Sequence, residues 1–367
     1  MSGPVTTTPA RSVLVMAGGT GGHVYPALAV ADHLRSQGQR VEWLGTAAGL
    51  ESRVAPAHGF ALHPIDVAGL RGKGGAAWLA APVRLARALV QAWRLVGASR
   101  PDAVLGLGGF VSGPGGLAAW LRGRPLVIHE QNAVPGLTNR LLSRVARVVL
   151  EAFPGSFPAR VRARHTGNPV RAALAAVPAP EARLAGRDGP LRLLVLGGSQ
   201  GARALNEAVP AALAVLPDPG AVTVWHQAGP AQLEAAREAY ARAGVPVRLA
   251  GFIEDMAEAY AWADLVLCRA GAMTLAELWT VGLGAVLVPF PFAVDDHQSH
   301  NARYAAERGA AIVVPQPELS AERLARLLGE LAGDRGRVLA LARAARALAV
   351  PDAAERVARA CLEVCDG

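Results

Sequence analysis

The 367-residue sequence is short of several things at once. Lys73 is its only lysine, and every other fixed positive charge is arginine. Aromatic residues are 5% of the chain, so Ala, Val and Leu must build the cores. Three cysteines, Cys268, Cys361 and Cys365, fit neither a disulfide framework nor zinc-ligand spacing, and a reducing cytoplasm is the simplest home. The N-terminal MSGPVTTTPARS lacks the apolar core of a secretion signal. Long apolar runs are also missing. The longest uncharged stretch, Ala103 to Leu121, carries six glycines and Pro114, and reads as strand, loop and helix start rather than a membrane span. Disorder is excluded in turn, because 52% of residues are hydrophobic and only 18% charged.

The length suits about two domains, each with its own core. Val- and Leu-rich strands alternate with Ala-rich helical segments, the pattern of doubly wound α/β folds. Strands are expected at 12–17, 41–45, 103–107, 126–129, 147–150, 191–196, 222–226, 247–250, 265–268, 285–289 and 311–314. A helix is expected from Tyr25 to Gln37, and a last one from Ala353 to Val364. Strand–Gly-Gly–helix openings recur at Gly18 and Gly197, as two similar domains in tandem require. Six prolines between Pro154 and Pro190 mark a hinge. The expected domains are 1–168 plus 350–367, and 169–349.

Three glycine loops follow strands: GGTGGH from Gly18, GGFVSGP from Gly108 and GGSQGAR from Gly197. Such loops let backbone N–H groups approach an anion at a helix N-terminus, or simply let helix and sheet pack closely. Three of them at strand ends favour phosphate. The phosphate is not held by a Walker loop, because GK[ST] is absent. The dinucleotide fingerprint fails as well, since Val24 stands where its third glycine belongs. No D-x-D occurs, which argues against metal-held sugar diphosphates. In CRAGAMTLAEL a helix starting near Ala272 would point the N–H groups of Ala272, Met273 and Thr274 at a phosphate. Glu277 would then either accept from ribose hydroxyls or merely complement the helix dipole.

The loops GGTGGHVYP, GLGGFVSGP, HEQN, GNPVR, GGSQGAR and CRAGAMTLAE, in this order from Val13 to Val357, resemble the MurG family of N-acetylglucosaminyltransferases, which make lipid II in bacterial peptidoglycan synthesis. The resemblance implies an α/β GT-B architecture, two Rossmann-like domains with parallel sheets facing a central cleft. It implies an inverting, metal-independent transferase with no cofactor and no nucleic-acid partner. The donor would be UDP-N-acetylglucosamine, and the acceptor lipid I, undecaprenyl-diphosphate-MurNAc-pentapeptide. Donor contacts would come from Ser199, the backbone of Ile253, the run Ala272, Met273, Thr274, Leu275 and Ala276, then Glu277 and Gln298. Gln298 lies in PFPFAVDDHQ, where the resemblance is looser, and His297 or Asp296 could share its role. Thr20, Gly21, Gly22, Asn132 and Arg171 would complete the donor site. The first-domain loops would meet the acceptor diphosphate. Cell-wall synthesis proteins are further partners. A UDP-sugar epimerase and a non-catalytic UDP-sugar-binding module on the membrane are the competing readings.

His23 is the first candidate for general base, because histidine titrates near neutrality. A phosphate donor or helix cap is its plainer role. Glu130, after the apolar LVIH, is the rival base or an orienter of the acceptor. His58, His63, His165 and His226 read as surface or loop residues, and Trp225 and Trp262 as packing. Up to Val170 there are 18 Lys and Arg against 7 Asp and Glu, a balance of +11, whereas the remainder carries −3. A helix within Ala76 to Val96 sets Leu79, Val83, Ala86, Val90 and Trp93 on a packing face, with Arg84, Arg87, Gln91 and Arg94 opposite. Trp78, Leu79, Arg84 and Arg87 are the expected contacts to an anionic membrane surface, placing the protein peripherally on the cytoplasmic face.

Overall fold

The computed structural model describes residues 10–67, 81–198 and 201–365, and the chain divides into two compact units. Unit 1 runs to Arg171 and takes in the segment from Asp352; unit 2 is Ala172–Pro351.

Unit 1 alternates β1 (Ser12–Met16), α1 (Gly21–Ser36), β2 (Arg40–Gly45), α2 (Glu51–Ala57), β3 (Ala61–Pro64), α3 (Ala81–Ser99), β4 (Ala103–Gly106), α4 (Ser112–Leu121), β5 (Leu126–Glu130), α5 (Leu137–Leu142), β6 (Val148–Glu151) and β7 (Arg164–His165). Its sheet is parallel, in the order β3-β2-β1-β4-β5-β6-β7. Successive side chains of a strand point to opposite faces, so β1 feeds two cores. Val13 and Val15 pack on one side with Val24, Leu28 and Leu34 of α1. Leu14 and Met16 pack on the other with Ala88, Ala92 and Val96 of α3 and with Ala118 of α4.

Unit 2 repeats the plan with α6 (Pro180–Leu184), β8 (Leu191–Leu196), α7 (Arg203–Ala214), β9 (Val222–Gln227), α8 (Leu233–Ala243), β10 (Arg248–Ala250), α9 (Met256–Trp262), β11 (Leu265–Cys268), α10 (Ala272–Val281), β12 (Ala285–Leu287), α11 (His297–Glu307), β13 (Ala311–Val313), α12 (Ala321–Gly333) and α13 (Arg335–Ala347). The sheet order is β10-β9-β8-β11-β12-β13, again parallel. Asp264, fully buried before β11, binds Arg187 at 2.5 Å and Arg335 at 2.9 Å and accepts from Arg192 N. The final helix, α14 (Ala353–Glu363), belongs to unit 1, where Val357, Ala358 and Cys361 join the core under α1.

Four local expectations fail. The edge strands β3 and β7 were not foreseen; β3 ends in Pro64 and β7 is the exposed pair Arg164–His165. Helix α1 starts at Gly21, four residues before Tyr25, and takes in Pro26. On α3 the buried face is Ala88, Ala92 and Val96, while Val83, Val90 and Trp93 are exposed. Small alanines bring α3 close to its neighbours, and the larger apolar groups are left outside. His226 is a fully buried core residue, its ring bonded to Tyr240 and Asn206, not a loop residue. Among the described residues no helix is long and apolar enough to cross a membrane.

Candidate active site

In each sheet the strand order reverses at the first strand, β1 between β2 and β4, and β8 between β9 and β11. Open α/β sheets bind ligands beyond the carboxyl ends of strands at this point. The glycine loops emerge there.

The unit 1 glycines divide by what a Cβ would meet. At Gly109 (φ +79) it would strike the carbonyl of Gly18, and at Gly115 the Met16 sulfur, so these glycines serve close packing. At Gly19 (φ +96) there is open space, and at Gly22 the nearest atom is Thr20 Oγ1 at 3.7 Å. Thr20 is the N-cap of α1; its carbonyl accepts from His23 N and Val24 N, and its side chain does not cap the helix. First-turn N–H groups lack acceptors within their own helix, so those of Gly21 and Gly22 suit an anion. Glu51, which sequence reasoning missed, anchors the loop from behind. Completely buried, it accepts from Gly19 N at 2.9 Å and from Thr46 N and Oγ1 at 2.8 and 2.7 Å.

His23 lies inside the first turn of α1 rather than at the end of a loop. Its Nδ1 is 2.9 Å from Leu107 O and 3.2 Å from Gln131 Oε1. A carbonyl only accepts, so Nδ1 carries the proton and Nε2 is left as the basic nitrogen. Glu130, the rival base, has the hydrogen bonds of an orienting group. It is buried, and it accepts from Asn132 N at 3.0 Å, Asn132 Nδ2 at 3.2 Å, Gly136 N at 3.2 Å and Asn139 Nδ2 at 2.8 Å. A carboxylate committed to four donors shapes the 131–136 loop and holds Asn132. Arg171 is exposed, with its guanidinium 5.6 Å from the Tyr25 ring centre.

In unit 2, Gly271 is the N-cap of α10, with no side-chain cap and no acid in the first turn. Ala272, Met273 and Thr274 supply first-turn N–H groups. Leu275 does not, because its N–H donates to Gly271 O at 3.0 Å, and both Leu275 and Ala276 are buried in packing. The side chains of those two residues pack in the core. Glu277 is beyond the first turn, where the helix dipole acts most strongly, and it accepts from Tyr260 OH at 2.8 Å. Gln298, in the first turn of α11, accepts from Phe290 N at 3.0 Å. Arg269 holds the same segment through Val288 O and Pro289 O. Ile253, buried, lies between β10 and α9. Ser199, Trp78 and Leu79 lie outside the described residues.

Unit 1 also carries a cavity of about 520 Å³ bordered by Gly18, Gly19, Gly49, Phe110, Arg84 and Arg87. Arg87 pairs with Asp66 at 2.9 Å, so Arg84 and Arg87 border this cavity as well as the surface. In the same unit, Val83, Leu85, Val90 and Trp93 of α3, Trp120 and Leu121 of α4, and Leu137 and Leu141 of α5 are all exposed. Arg122 stacks 4.0 Å from the Trp93 ring centre.

Tandem doubly wound units, each with a glycine loop at its switch point, form the GT-B arrangement of glycosyltransferases. Residues 13–151 match the glycosyltransferase family 28 N-terminal domain, and residues 192–357 match the family 28 C-terminal domain. A relative from Alkalilimnicola ehrlichii is 60% identical over 351 residues, 96% of this chain and 98% of that one. Another, from Marinobacter nauticus, is 55% identical over 99% of this chain and all of its own length. Both carry the name UDP-N-acetylglucosamine–N-acetylmuramyl-(pentapeptide) pyrophosphoryl-undecaprenol N-acetylglucosamine transferase. The crystal structure of Acinetobacter baumannii MurG superposes with a TM-score of 0.84 at 43% identity, covering 96% of this chain and 99% of that one. The chain belongs to glycosyltransferase family 28, in its MurG branch.

Proposed function

We propose that the chain transfers N-acetylglucosamine from UDP-N-acetylglucosamine to the 4-hydroxyl of the N-acetylmuramyl group of lipid I, forming lipid II for peptidoglycan. The observation that carries this reading is the 55% and 60% identity, over nearly the whole chain, with transferases named for that reaction. The epimerase and binding-module readings find no comparable support.

His23 Nε2 takes the proton of the acceptor hydroxyl. The hydroxyl oxygen bonds to the anomeric carbon from the face opposite the diphosphate, the carbon–oxygen bond to UDP breaks, and the configuration inverts. General-base assistance of this kind contributes about 10²–10⁴-fold. First-turn N–H groups at Ala272, Met273 and Thr274 stabilise the charge on the departing diphosphate, with the dipole of α10 behind them. Glu277, oriented by Tyr260, accepts from the ribose hydroxyls, Ile253 backbone reads the base, and the Gln298 amide reaches a sugar hydroxyl. Thr20, Gly21, Gly22, Asn132 and Arg171 complete the donor site, and the first-domain glycine loops meet the acceptor diphosphate.

The exposed apolar side chains of α3, α4 and α5, interspersed with arginines, support peripheral docking on the anionic cytoplasmic leaflet, where a lipid-linked acceptor resides. Each cation at such a surface adds about 1 kcal/mol. The test is to incubate the protein with UDP-N-acetylglucosamine and a short-chain lipid I analogue. Equal amounts of UDP and disaccharide-lipid are expected; UDP with free sugar, or no acceptor dependence, would overturn the reading.

A further inference from the structure

A buried hydrogen-bonded chain runs back from His23, and its polarity is fixed by chemistry alone. His129 is fully buried, and its Nε2 is 2.9 Å from Gly167 O. That carbonyl requires a proton on Nε2, and burial lowers the ring's pKa to about 4, so the ring is neutral and Nδ1 is an acceptor. Gln131, also buried, presents one end of its amide to two acceptors, Leu107 O at 2.8 Å and His129 Nδ1 at 3.3 Å. That end must be the NH₂ group. The amide oxygen is therefore the atom 3.2 Å from His23 Nδ1, where it joins Leu107 O as a second acceptor for that N–H. Asn168 Nδ2 donates to Gln131 O at 3.0 Å and pins the backbone. Leu107 follows β4, His129 is the last residue but one of β5, and Gln131 is the first residue after that strand. The chain thus rests on rigid strand ends.

We infer that Gln131, itself oriented by His129, is a positioning residue that together with Leu107 O holds His23 in its Nδ1–H tautomer and aims Nε2 at the acceptor hydroxyl. This rests on the reading of His23 as the base. Where other enzymes orient a histidine with a carboxylate, this chain uses a neutral amide and a backbone carbonyl. Gly167 O sets the His129 tautomer, that ring fixes which end of the Gln131 amide faces His23, and the amide oxygen joins Leu107 O in holding the proton on His23 Nδ1.

The test combines long-range nitrogen–proton NMR of histidine side chains with steady-state kinetics on Gln131→Met, which preserves side-chain length but removes both polar groups. In the wild-type protein, His23, assigned against His23→Gln, is expected as the Nδ1–H tautomer alone. Gln131→Met leaves Leu107 O as the one remaining acceptor at His23 Nδ1, so a minor Nε2–H population beside the Nδ1–H form is expected, with a kcat lowered ~10–100-fold, the range typical of groups that orient a histidine, and the donor KM changed less than about twofold. A tautomer mixture in the wild-type protein would overturn the inference even if the variant failed to fold. So would a folded Gln131→Met with a single tautomer and normal kcat. His23→Gln separates the two readings. Near-normal turnover there would remove the base assignment, whereas a dead His23→Gln beside a fully active Gln131→Met would remove only the positioning role.

Discussion

Gly108→Ala is the sharpest perturbation of the base, because it adds one methyl group and removes no hydrogen-bonding atom. Gly108 has φ +92, and a Cβ there would stand 2.8 Å from both Cε1 and Nδ1 of His23. The backbone conformation alone costs alanine about 1–3 kcal/mol. Ordinary contact begins near 3.4 Å, so the ring must retreat by roughly 0.6 Å. That retreat works against the 2.9 Å bond from Nδ1 to Leu107 O and misdirects Nε2. A displacement of about 1 Å in a catalytic group costs on the order of 10²-fold, so kcat should fall ~10–100-fold. The strain should lower the melting temperature of a unit this size by roughly 2–10 °C. Acceptor-dependent UDP release and a thermal melt measure both. A variant with the wild-type kcat and melting temperature would refute the packing of His23 against this loop and the role drawn from it.

Four other outcomes follow from the structure. Gly22→Ala puts its methyl group at ordinary contact distance, 3.7 Å from Thr20 Oγ1, within a helix, so stability should hold or rise by about 0.5–1 kcal/mol while the KM for donor or acceptor increases; both unchanged would remove the anion from this turn. Asp264→Ala strands Arg187 and Arg335 and should cost ~3–5 kcal/mol in urea unfolding, and a loss below about 1 kcal/mol would contradict the buried clamp. His129 and His226 each have a pKa lowered to about 4 by burial, while the unfolded chain takes up these protons near pH 6.5. Between pH 6.5 and 4 the unfolded state therefore binds more protons, and stability should fall with acidification by on the order of 3 kcal/mol per histidine by pH 4; His226→Asn should flatten the slope. Changing Val83 and Leu85, the most exposed large apolar side chains of α3, to serine should shift the melt little but reduce flotation with anionic vesicles at least ~10-fold, and equal flotation would remove these residues from the membrane contact.

The interior strands were legible because strands covered on both faces become continuous Val and Leu runs, as in SVLVM, LRLLVL and LVLC. The edge strands were not, since β3 is ALHP and β7 only Arg-His, neither with an apolar run. The start of α1 was hidden by Gly-Gly at its first turn, where propensity is poorest and the available N–H groups matter most. Residues proposed to touch ligand by type and motif, such as His23 and Glu277, could be named from sequence. Their supports could not. Glu51 reads as an ordinary acid at the start of a helix, and only the fold brings it behind Gly19. His129 and Gln131 did leave a signal: alternate residues at the end of a strand share a face, which separates them from Glu130 and Asn132.

The most direct measurement is the configuration of the new sugar linkage. With UDP-N-acetylglucosamine, whose anomeric carbon is α, and a lipid I analogue, the proton coupling at the transferred sugar should report a β linkage to the 4-position of N-acetylmuramic acid, formed in step with UDP release and lost in His23→Gln. An α linkage, transfer to another position, or free N-acetylglucosamine in place of the disaccharide would contradict a single displacement driven by His23.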